Sequence, residues 1–335
     1  MTSNGLRFVF IGCGKIAHFH ADVVYAHGHQ IVGVAARKNS KNIHAFADKY
    51  QITARYSDFN LLLDEQKPDA VIVCVSWNQV QEIITDIIQY GYPVLVEKPI
   101  ALTTKESKEI YHQTIDNTDK VLVGYNRRFY DFIPDIKQAI LEQNLHSVQL
   151  VLPESLNSLL KSKADLIEDH MLIYMSSHWL DLLIYLLGDI EVSYMHNSPR
   201  VGAKYGSYHG LLTATESGIP IHYVSDFDTF QNISITFVFD QSIWKLSPLE
   251  LLSIYDGMDR IEPTNEIPIR QYKPRLVKQV RTNLDYKPGF YNQMDYFVKY
   301  FIRGDANEKK IGTTLKQAII VTELTETIQQ SRLHR

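Results

Sequence analysis

The stretch that decides the fold lies near the start of the chain: Leu6-Arg7-Phe8-Val9-Phe10-Ile11-Gly12-Cys13-Gly14-Lys15-Ile16-Ala17. Its first half is mostly β-branched or aromatic, which predicts a strand, and apolar residues with helical spacing follow its end. In the G-x-G-x-x-A pattern between them, Gly12 allows a tight turn, Gly14 lets backbone amides approach a pyrophosphate, and Ala17 lets the helix pack on the strand. Glycines also occur in plain turns, but between a strand and a helix this pattern predicts a dinucleotide-binding loop.

The next hundred residues alternate between strands and helices. Short apolar runs predict strands at residues 31–36, 70–75, 94–96 and 121–124. An apolar stripe over residues 80–88 predicts a helix, and Thr103 with Glu106 predicts a capping box at the start of another. The alternation predicts an α/β fold for residues 1–122, a Rossmann-type domain with a doubly wound parallel sheet covered by helices on both faces.

The second half of the chain has a different pattern. Apolar runs predict strands near residues 148–152, 222–224, 233–239 and 251–255, and helices are predicted around residues 171–187, 291–302 and 313–330. We interpret the change as a second, α+β domain over residues 123–335, with a large, mostly antiparallel sheet that serves substrate binding and oligomerisation. The exposed face of such a sheet predicts a homodimer or homotetramer.

The composition excludes several classes of protein. With 335 residues, 45% hydrophobic and 21% charged, the chain is an ordinary globular protein with two domains. The net charge of -4 comes without a basic stripe, so nucleic acid is not an expected partner. No apolar run approaches the roughly 18 residues of a membrane span. Cys13 and Cys74 lack metal-ligand spacing, so no metal site is expected, and the short polar N-terminus predicts a cytoplasmic location.

The end of the second predicted strand bears on the choice of coenzyme. A carboxylate at this position would accept hydrogen bonds from the ribose 2'-hydroxyl of NAD and repel the 2'-phosphate of NADP. The chain has Ala36 there, followed by Arg37 and Lys38. These cations can bind a 2'-phosphate, so the sequence favours NADP over NAD; a solvated basic turn is the alternative.

A lysine at the end of another buried strand is a candidate for catalysis. Glu97, Lys98 and Pro99 directly follow the strand predicted at residues 94–96. Ligands bind at the carboxyl edge of an open α/β sheet, so a lysine at this point can reach a bound coenzyme. Taken alone, Lys98 is as often a surface lysine of a turn.

In this order the motifs resemble those of the glucose-fructose oxidoreductase / inositol dehydrogenase / MocA (Gfo/Idh/MocA) family of sugar and polyol oxidoreductases, over nearly the whole chain. The matching pieces are residues 12–17 with His20, Lys67-Pro68-Asp69-Ala70-Val71, Asn78, Glu97-Lys98-Pro99 and Gly124-Tyr125-Asn126-Arg127-Arg128-Phe129. The resemblance implies that Lys98 is catalytic. The residues expected at the coenzyme are Gly12, Gly14, Lys15, Ile16, Arg37, Lys38, Ser76, Trp77, Asn78, Glu97 and Lys98.

Two aromatic residues near these motifs have open roles. Trp77 stands where the family usually has proline, and its face can stack on the coenzyme or pack in the core. His20 follows the glycine-rich loop on the same helix, and we expect it to pack under the loop.

The family pattern continues with an aspartate four residues before a histidine on a helix. The histidine here is His178, but residue 174 is a tyrosine. In a single helix Tyr174, His178 and Asp181 share one face, and our hypothesis is that the Tyr174 hydroxyl takes over part of the aspartate's work. Alternatively, Tyr174 only fills space, or an acidic residue at position 165, 168 or 169 replaces the missing carboxylate.

The resemblance implies hydride transfer between a nicotinamide and a hydroxyl or carbonyl carbon of a sugar, sugar derivative or polyol. His178 would remove the hydroxyl proton while Lys98 polarises the oxygen. Asn126, Arg128 and Asp181 are predicted to bind the substrate, and residues 287–293 resemble members that act on nucleotide-sugar intermediates. Two alternatives remain: a dinucleotide-dependent enzyme that cleaves glycosides without net redox, and a regulator that binds NAD(P) without catalysis.

Overall fold

The computed structural model describes residues 5–153, 170–198, 207–227, 229–305, 307 and 309–331. By their internal contacts these residues form two compact units. The first takes in the described parts of Met1–Phe129, Asp169–Leu182 and Asn283–Glu326, and the second those of Tyr130–Glu168, Leu183–Thr282 and Thr327–Arg335. Each unit is therefore assembled from segments that are distant in sequence. The division predicted between residues 122 and 123 stays a prediction.

The first unit contains a six-stranded parallel sheet among its described residues. Its strands are β1 (Arg7–Ile11), β2 (Gln30–Ala35), β3 (Arg55–Tyr56), β4 (Ala70–Val73), β5 (Val94–Val96) and β6 (Val121–Val123). They lie in the order β3-β2-β1-β4-β5-β6, so the chain runs outward from β1 in both directions. This confirms the predicted doubly wound sheet, and the central strands are buried because helices cover both faces.

The helices of this unit alternate with the strands, as the sequence predicts. They are α1 (Lys15–Ala26), α2 (Asn42–Lys49), α3 (Phe59–Gln66), α4 (Trp77–Gln89) and α5 (Thr104–Gln113). The capping box is confirmed, since the Thr103 side chain accepts from the Glu106 amide and the Glu106 side chain accepts from the Thr103 amide.

The second unit contains helix α6 (Ile133–Glu142) and an eight-stranded sheet among its described residues. The strands are β7 (Leu145–Val151), β8 (Ile190–Ser198), β9 (Ser207–Ala214), β10 (Pro220–Ser225), β11 (Ser234–Phe239), β12 (Ser242–Leu246), β13 (Leu251–Ile261) and β14 (Gln271–Arg281). Their order is β14-β13-β12-β11-β7-β10-β9-β8, and every neighbouring pair is antiparallel except β7 with β10. The predicted, mostly antiparallel sheet is confirmed.

The helix predicted over residues 171–187 is interrupted. Helix α7 (Met171–Met175) ends before Ser176, and α8 (Ser177–Leu187) begins after it. The Trp179 amide donates to the Ser176 carbonyl at 3.0 Å, a tight turn where an uninterrupted helix would bond to residue 175. Consecutive serines are weak helix formers, so the prediction of one continuous helix is wrong at this point.

The chain then returns to the first unit. Helix α9 (Phe290–Tyr296) continues as a π-helical turn (Phe297–Ile302), and α10 (Leu315–Gln330) follows. Aromatic residues of α9 and the π-helical turn pack against the core of the parallel sheet, including Phe290 and Phe297. Within the described ranges, no helix has both the length and the apolar character needed to cross a membrane.

Candidate active site

The glycine-rich loop joins β1 to α1 and is shaped for an anion. Gly12 has a φ of +97°, and a Cβ on it would lie 2.5 Å from the Cys74 carbonyl oxygen, so only glycine fits. Gly14 is the N-cap of α1, and a Cβ built on it meets nothing within 4 Å. The first amides of α1 therefore begin beside open space, at the positive end of the helix dipole. This geometry fits the diphosphate of a dinucleotide.

A cavity of about 230 Å³ lies at the end of β2, where the adenosine half of a dinucleotide is expected. It is lined by Ala36 and Arg37 after β2 and by Gln79 and Glu82 of α4, among others. With the Gln79 amide oriented so that its nitrogen donates to Ser76 Oγ at 2.9 Å, its oxygen accepts from Arg37 Nη1 at 2.7 Å. Gln79 can therefore fix the Arg37 guanidinium beside the cavity.

Glu97 is held by a buried histidine of α1. His20 is 1% exposed, and its Nε2 lies 2.7 Å from Glu97 Oε1. Burial acts to raise the pKa of the Glu97 carboxyl, but the His20 hydrogen bond and the charges of Lys287 and Lys98 outweigh it, so the pKa is lowered. Glu97 is therefore a carboxylate. His20 also packs on the Phe290 ring, with centroids 4.5 Å apart, so its role combines packing with a polar contact that the sequence did not predict.

Lys98 contacts the last turn of α7. Its Nζ donates to the Tyr174 main-chain carbonyl at 2.6 Å and lies 5.4 Å from the centroid of the Tyr174 ring. The lysine is partly buried. Its charge also contributes to lowering the pKa of His178. The two residues predicted as a catalytic pair are thus electrostatically coupled within the first unit.

His178 on α8 is neutral at neutral pH. Burial lowers the pKa of its imidazole well below the ordinary value, and the charges of Lys98, Arg127 and Lys287 lower it further. The Tyr125 ring packs edge-on against the imidazole with centroids 5.7 Å apart. The buried Nδ1 has no hydrogen-bond partner among the described residues. A neutral imidazole in this setting can accept a proton from a substrate hydroxyl.

Tyr174 lies on α7, and His178 and Asp181 follow on α8 after the turn at Ser176, so their shared face stays a prediction. The Tyr174 ring meets Trp77 edge-on, with centroids 6.0 Å apart. Burial raises the pKa of the Tyr174 phenol, which therefore stays protonated. The acidic residues at 165, 168 and 169, considered as replacements for a carboxylate at 174, lie outside the described residues.

Arg128 and Asp181, both predicted to bind substrate, form a fully buried ion pair with each other. Arg128 Nε donates to Asp181 Oδ2 at 2.8 Å and Nη2 donates to Oδ1 at 2.7 Å. The Thr313 hydroxyl donates to the same carboxylate at 2.9 Å. Arg128 Nη1 also donates to the Ile311 carbonyl at 3.1 Å. The pair thus ties the end of the parallel sheet to α8 and to the segment before α10.

Asn126 is also engaged by neighbours. Its amide nitrogen donates to the Pro288 carbonyl at 2.7 Å, and its oxygen accepts from Arg127 Nη1 at 2.7 Å. Asn126 is 2% exposed. Its predicted contact with substrate stays a prediction, and the structure gives it a role in orienting Arg127.

Most of the other predicted coenzyme residues lie near the start of α1 or α4, and Lys38 lies in the turn after β2. Lys15 and Lys38 are exposed, Ile16 and Asn78 are partly buried, and Ser76 is the N-cap of α4. Trp77 is 5% exposed, and its indole nitrogen is buried without a hydrogen-bond partner in the part of the chain that the structure describes. Its packing against Tyr174 shows a core contact, and a stacking role on the coenzyme stays a prediction.

Sequence reasoning missed three charged residues. Arg127 lies 4.8 Å from the centroid of the Trp179 ring, and Lys287 lies 4.9 Å and 4.8 Å from those of Phe19 and Phe290. Lys287 and Lys15 line a cavity of about 870 Å³ beside the glycine-rich loop. Glu82 lines the adenosine cavity. Arg127 and Lys287 could have been found from the sequence, because both lie inside segments that resemble the family. Their joint effect on His178 depends on tertiary structure and could not.

A parallel sheet of this order, with a glycine-rich loop after its first strand, defines the class of dinucleotide-binding Rossmann proteins. Residues 6–125 match the model of the Gfo/Idh/MocA oxidoreductase family with an NAD-binding Rossmann fold. The match confirms the resemblance inferred from the motifs over the part of the chain that carries the glycine-rich loop and Glu97-Lys98-Pro99.

Curated relatives are distant in sequence. The inositol 2-dehydrogenase of Rhizobium meliloti is 25% identical over 194 residues, which are 56% of this chain and 57% of that enzyme. Glycosyl hydrolase family 109 protein 1 of Akkermansia muciniphila is 25% identical over 154 residues, 42% of this chain and 32% of that protein. The chain thus matches less than two thirds of the length of either relative.

Solved structures share this fold along nearly the whole chain. The UDP-N-acetylglucosamine 3-dehydrogenase of Acidithiobacillus ferrooxidans matches with a TM-score of 0.73 and 18% identity, covering 98% of this chain and 97% of that one. At this identity the match shows the shared fold.

Proposed function

We propose that the chain is an NAD(P)-dependent oxidoreductase that transfers a hydride between a nicotinamide and a hydroxyl or carbonyl carbon of a sugar, sugar derivative or polyol. The observation that carries the proposal is the placement of Lys98 and His178: Lys98 follows β5 and donates to the carbonyl of Tyr174 on α7, and the buried His178 lies at the start of α8 in the same unit. The charge of Lys98 helps keep His178 neutral. The likeness to inositol 2-dehydrogenase supports a polyhydroxylated substrate.

The proposed reaction uses these two side chains in defined roles. In the oxidation direction the substrate carbon loses a hydride and its hydroxyl loses a proton, which leaves a carbonyl. The bound nicotinamide supplies the hydride acceptor. His178 takes the proton, and Lys98 donates a hydrogen bond to the substrate oxygen, where negative charge develops. Reduction uses the same groups in reverse.

NADP is the proposed preferred coenzyme. Arg37 lines the adenosine cavity and can be oriented by Gln79, and a guanidinium there suits a 2'-phosphate. Ala36 stands where a carboxylate would select NAD, and its side chain carries no charge that would repel a 2'-phosphate. Glu82 lines the same cavity, and its carboxylate would repel a 2'-phosphate. The preference between NADP and NAD therefore depends on whether the attraction by Arg37 exceeds the repulsion by Glu82.

We also propose that Arg128 and Asp181 position the site without contacting the substrate. Arg128 donates two hydrogen bonds to Asp181, and the Thr313 hydroxyl donates a third to the same carboxylate. Asn126 acts similarly, since it orients Arg127.

The experiment that tests the main proposal is a screen of sugars, inositols, sugar acids and nucleotide sugars with NAD and NADP in both directions. Net formation or loss of the reduced nicotinamide, followed by its absorbance, supports the proposal. If wild-type protein that binds a coenzyme turns over no polyhydroxylated compound, the proposal is contradicted and a regulatory role is favoured.

A second candidate is glycoside cleavage through transient oxidation, which the family 109 relative favours. Such an enzyme releases its leaving group with bound coenzyme and without net change in nicotinamide redox state. Chromogenic aryl glycosides, followed in parallel for aryl alcohol and reduced nicotinamide, separate the two candidates. A nucleotide-sugar substrate, a homodimer or homotetramer and a cytoplasmic location stay predictions.

A further inference from the structure

Three cations converge on His178. Lys98, Arg127 and Lys287 each lower the pKa of its imidazole through their charge. Among the described residues, the Glu97 carboxylate interacts electrostatically with both Lys98 and Lys287. Glu97 is also hydrogen-bonded to His20. The buried Asp181 is paired with Arg128. The charges of the three cations therefore act together at His178, which lies in a positive electrostatic field.

Arg127 is held in place by neutral groups. Its Nη1 donates to the Asn126 amide oxygen at 2.7 Å, and its guanidinium lies 4.8 Å from the centroid of the Trp179 ring. Its Nε is buried and has no hydrogen-bond partner within the described ranges. None of the carboxylates that the structure describes forms an ion pair with it within 4.0 Å. Arg127 is therefore oriented and partly desolvated, with a donor still available.

Lys287 is also partly desolvated. Burial lowers its pKa, and the nearby charges of Arg127 and Lys15 act in the same direction. Its ammonium lies between the rings of Phe19 and Phe290, which stabilise a cation without neutralising it. Lys287 shares a cavity with Lys15 of α1, and Asp22 and Asp285 line the same cavity.

Arg127 is associated with the helix that carries His178. It follows β6 and contacts the residue next to His178, whereas Lys15 belongs to the glycine-rich loop. Holding a desolvated cation without a counterion costs free energy, and a bound anion recovers it. A guanidinium with an open donor matches the planar, two-point geometry of a carboxylate or the oxygens of a phosphoryl group.

We propose that the substrate carries an anionic group, a carboxylate or a phosphoryl group on a polyhydroxylated carbon chain, and that Arg127 binds it beside His178. This inference rests on the proposed oxidoreductase function and adds to it the charge of the substrate. Arg127 is then the residue that selects anionic over neutral sugars. Lys287 adds to the attractive field.

The test measures binding as well as turnover. Trp179 lies under Arg127, so its fluorescence reports an anion that engages the guanidinium. Protein saturated with coenzyme is titrated at fixed ionic strength with D-glucuronate, D-glucose 6-phosphate and D-glucose. We expect either anion to bind at least about tenfold more tightly than glucose, as a charge-assisted hydrogen bond implies. The two anionic arms distinguish a carboxylate site from a phosphoryl site.

Matched variants assign the effect to Arg127. Arg127→Gln should abolish the preference for the anion, and Arg127→Lys should keep part of it. Lys316→Gln, which removes an exposed cation of α10, should leave it unchanged. Equal binding of charged and neutral sugars, no saturable binding of either anion, or an unchanged preference in Arg127→Gln would overturn the inference. Anion binding that depends on Arg127 without any turnover would instead contradict the proposed oxidoreductase function.

Discussion

Lys98 Nζ donates its hydrogen bond to the main-chain carbonyl of Tyr174, at 2.6 Å. A side-chain carboxylate at position 174 is therefore not needed to hold this lysine in place. The Tyr174 ring also faces this lysine, with its centroid 5.4 Å from Lys98 Nζ, and a ring at this distance stabilises a cation.

The first prediction follows from this contact. Tyr174→Phe keeps both the carbonyl and the ring, so turnover should stay within about threefold of wild type, whereas Tyr174→Ala removes the packing against Trp77 and should lower it by about tenfold or more. Steady-state kinetics on one responsive substrate measures both variants. A loss of tenfold in Tyr174→Phe would instead support the hypothesis that the hydroxyl does part of an aspartate's work.

The second prediction concerns the buried pair of Arg128 and Asp181. Asp181→Asn leaves a fully buried guanidinium without its counterion, and the free energy of unfolding should fall by about 3–5 kcal/mol. Urea denaturation measures it. As a control, Lys105→Ala breaks a solvent-exposed ion pair with Glu109 and should change stability by less than about 1 kcal/mol.

A further double variant keeps this prediction sharp. Arg128→Met combined with Asp181→Leu removes both charges and should recover part of the lost stability, since neither charge is then left alone. Equal stability of Asp181→Asn and wild type would mean that the pair does not anchor the segments it joins.

The third prediction is a pH profile. The pKa of His178 is lowered in the folded protein, so the imidazole is neutral above that pKa and becomes protonated only as the pH falls through it. In the oxidation direction kcat/KM should therefore hold down to a pH below about 6.5, the ordinary value for histidine, and fall at lower pH. Lys287→Met removes one of the cations that lower this pKa and should move the acid limb to higher pH. An acid limb that stays in place in Lys287→Met, as it should in the control Lys316→Met, would exclude this coupling.

The fourth prediction concerns the coenzyme. Arg37→Asp places a carboxylate beside the adenosine cavity and should reverse the preference from NADP to NAD, while Glu82→Gln removes an opposing charge and should tighten NADP alone. Calorimetric titration of each variant with both coenzymes gives the four affinities. Tighter binding of NAD than NADP by the wild type would refute the assignment of Arg37.

Local patterns carried most of the fold and part of the site. The glycine-rich loop, the helix cap at Thr103 and the turn after β5 are short-range features, so the sequence predicts them directly. Contacts between residues distant in sequence cannot be predicted in this way. Arg128 and Asp181 lie 53 residues apart, so the sequence does not show that they pair, and each was predicted to bind a ligand. The two serines at 176 and 177 interrupt a helix whose apolar periodicity continues across them, so periodicity alone does not predict the turn between α7 and α8.

The convergence on His178 also lay beyond the sequence. Arg127 and Lys287 are distant in sequence, and their joint effect on the pKa of the imidazole depends on how the segments after β6 and before α9 pack around α8. His20 illustrates the same limit, because its partner Glu97 lies 77 residues away.

The central claim is that Lys98 acts in hydride transfer, and single-turnover kinetics of Lys98→Ala tests it most directly. With coenzyme prebound and a substrate identified by the screen, the rate of nicotinamide reduction should fall by roughly two or more orders of magnitude, as expected when a positioned charge next to the reacting oxygen is lost. Coenzyme affinity should change by less than about threefold, and Lys105→Ala, which alters an exposed lysine, should react at the wild-type rate. A Lys98→Ala variant that reduces the coenzyme at a near-normal rate would contradict the account.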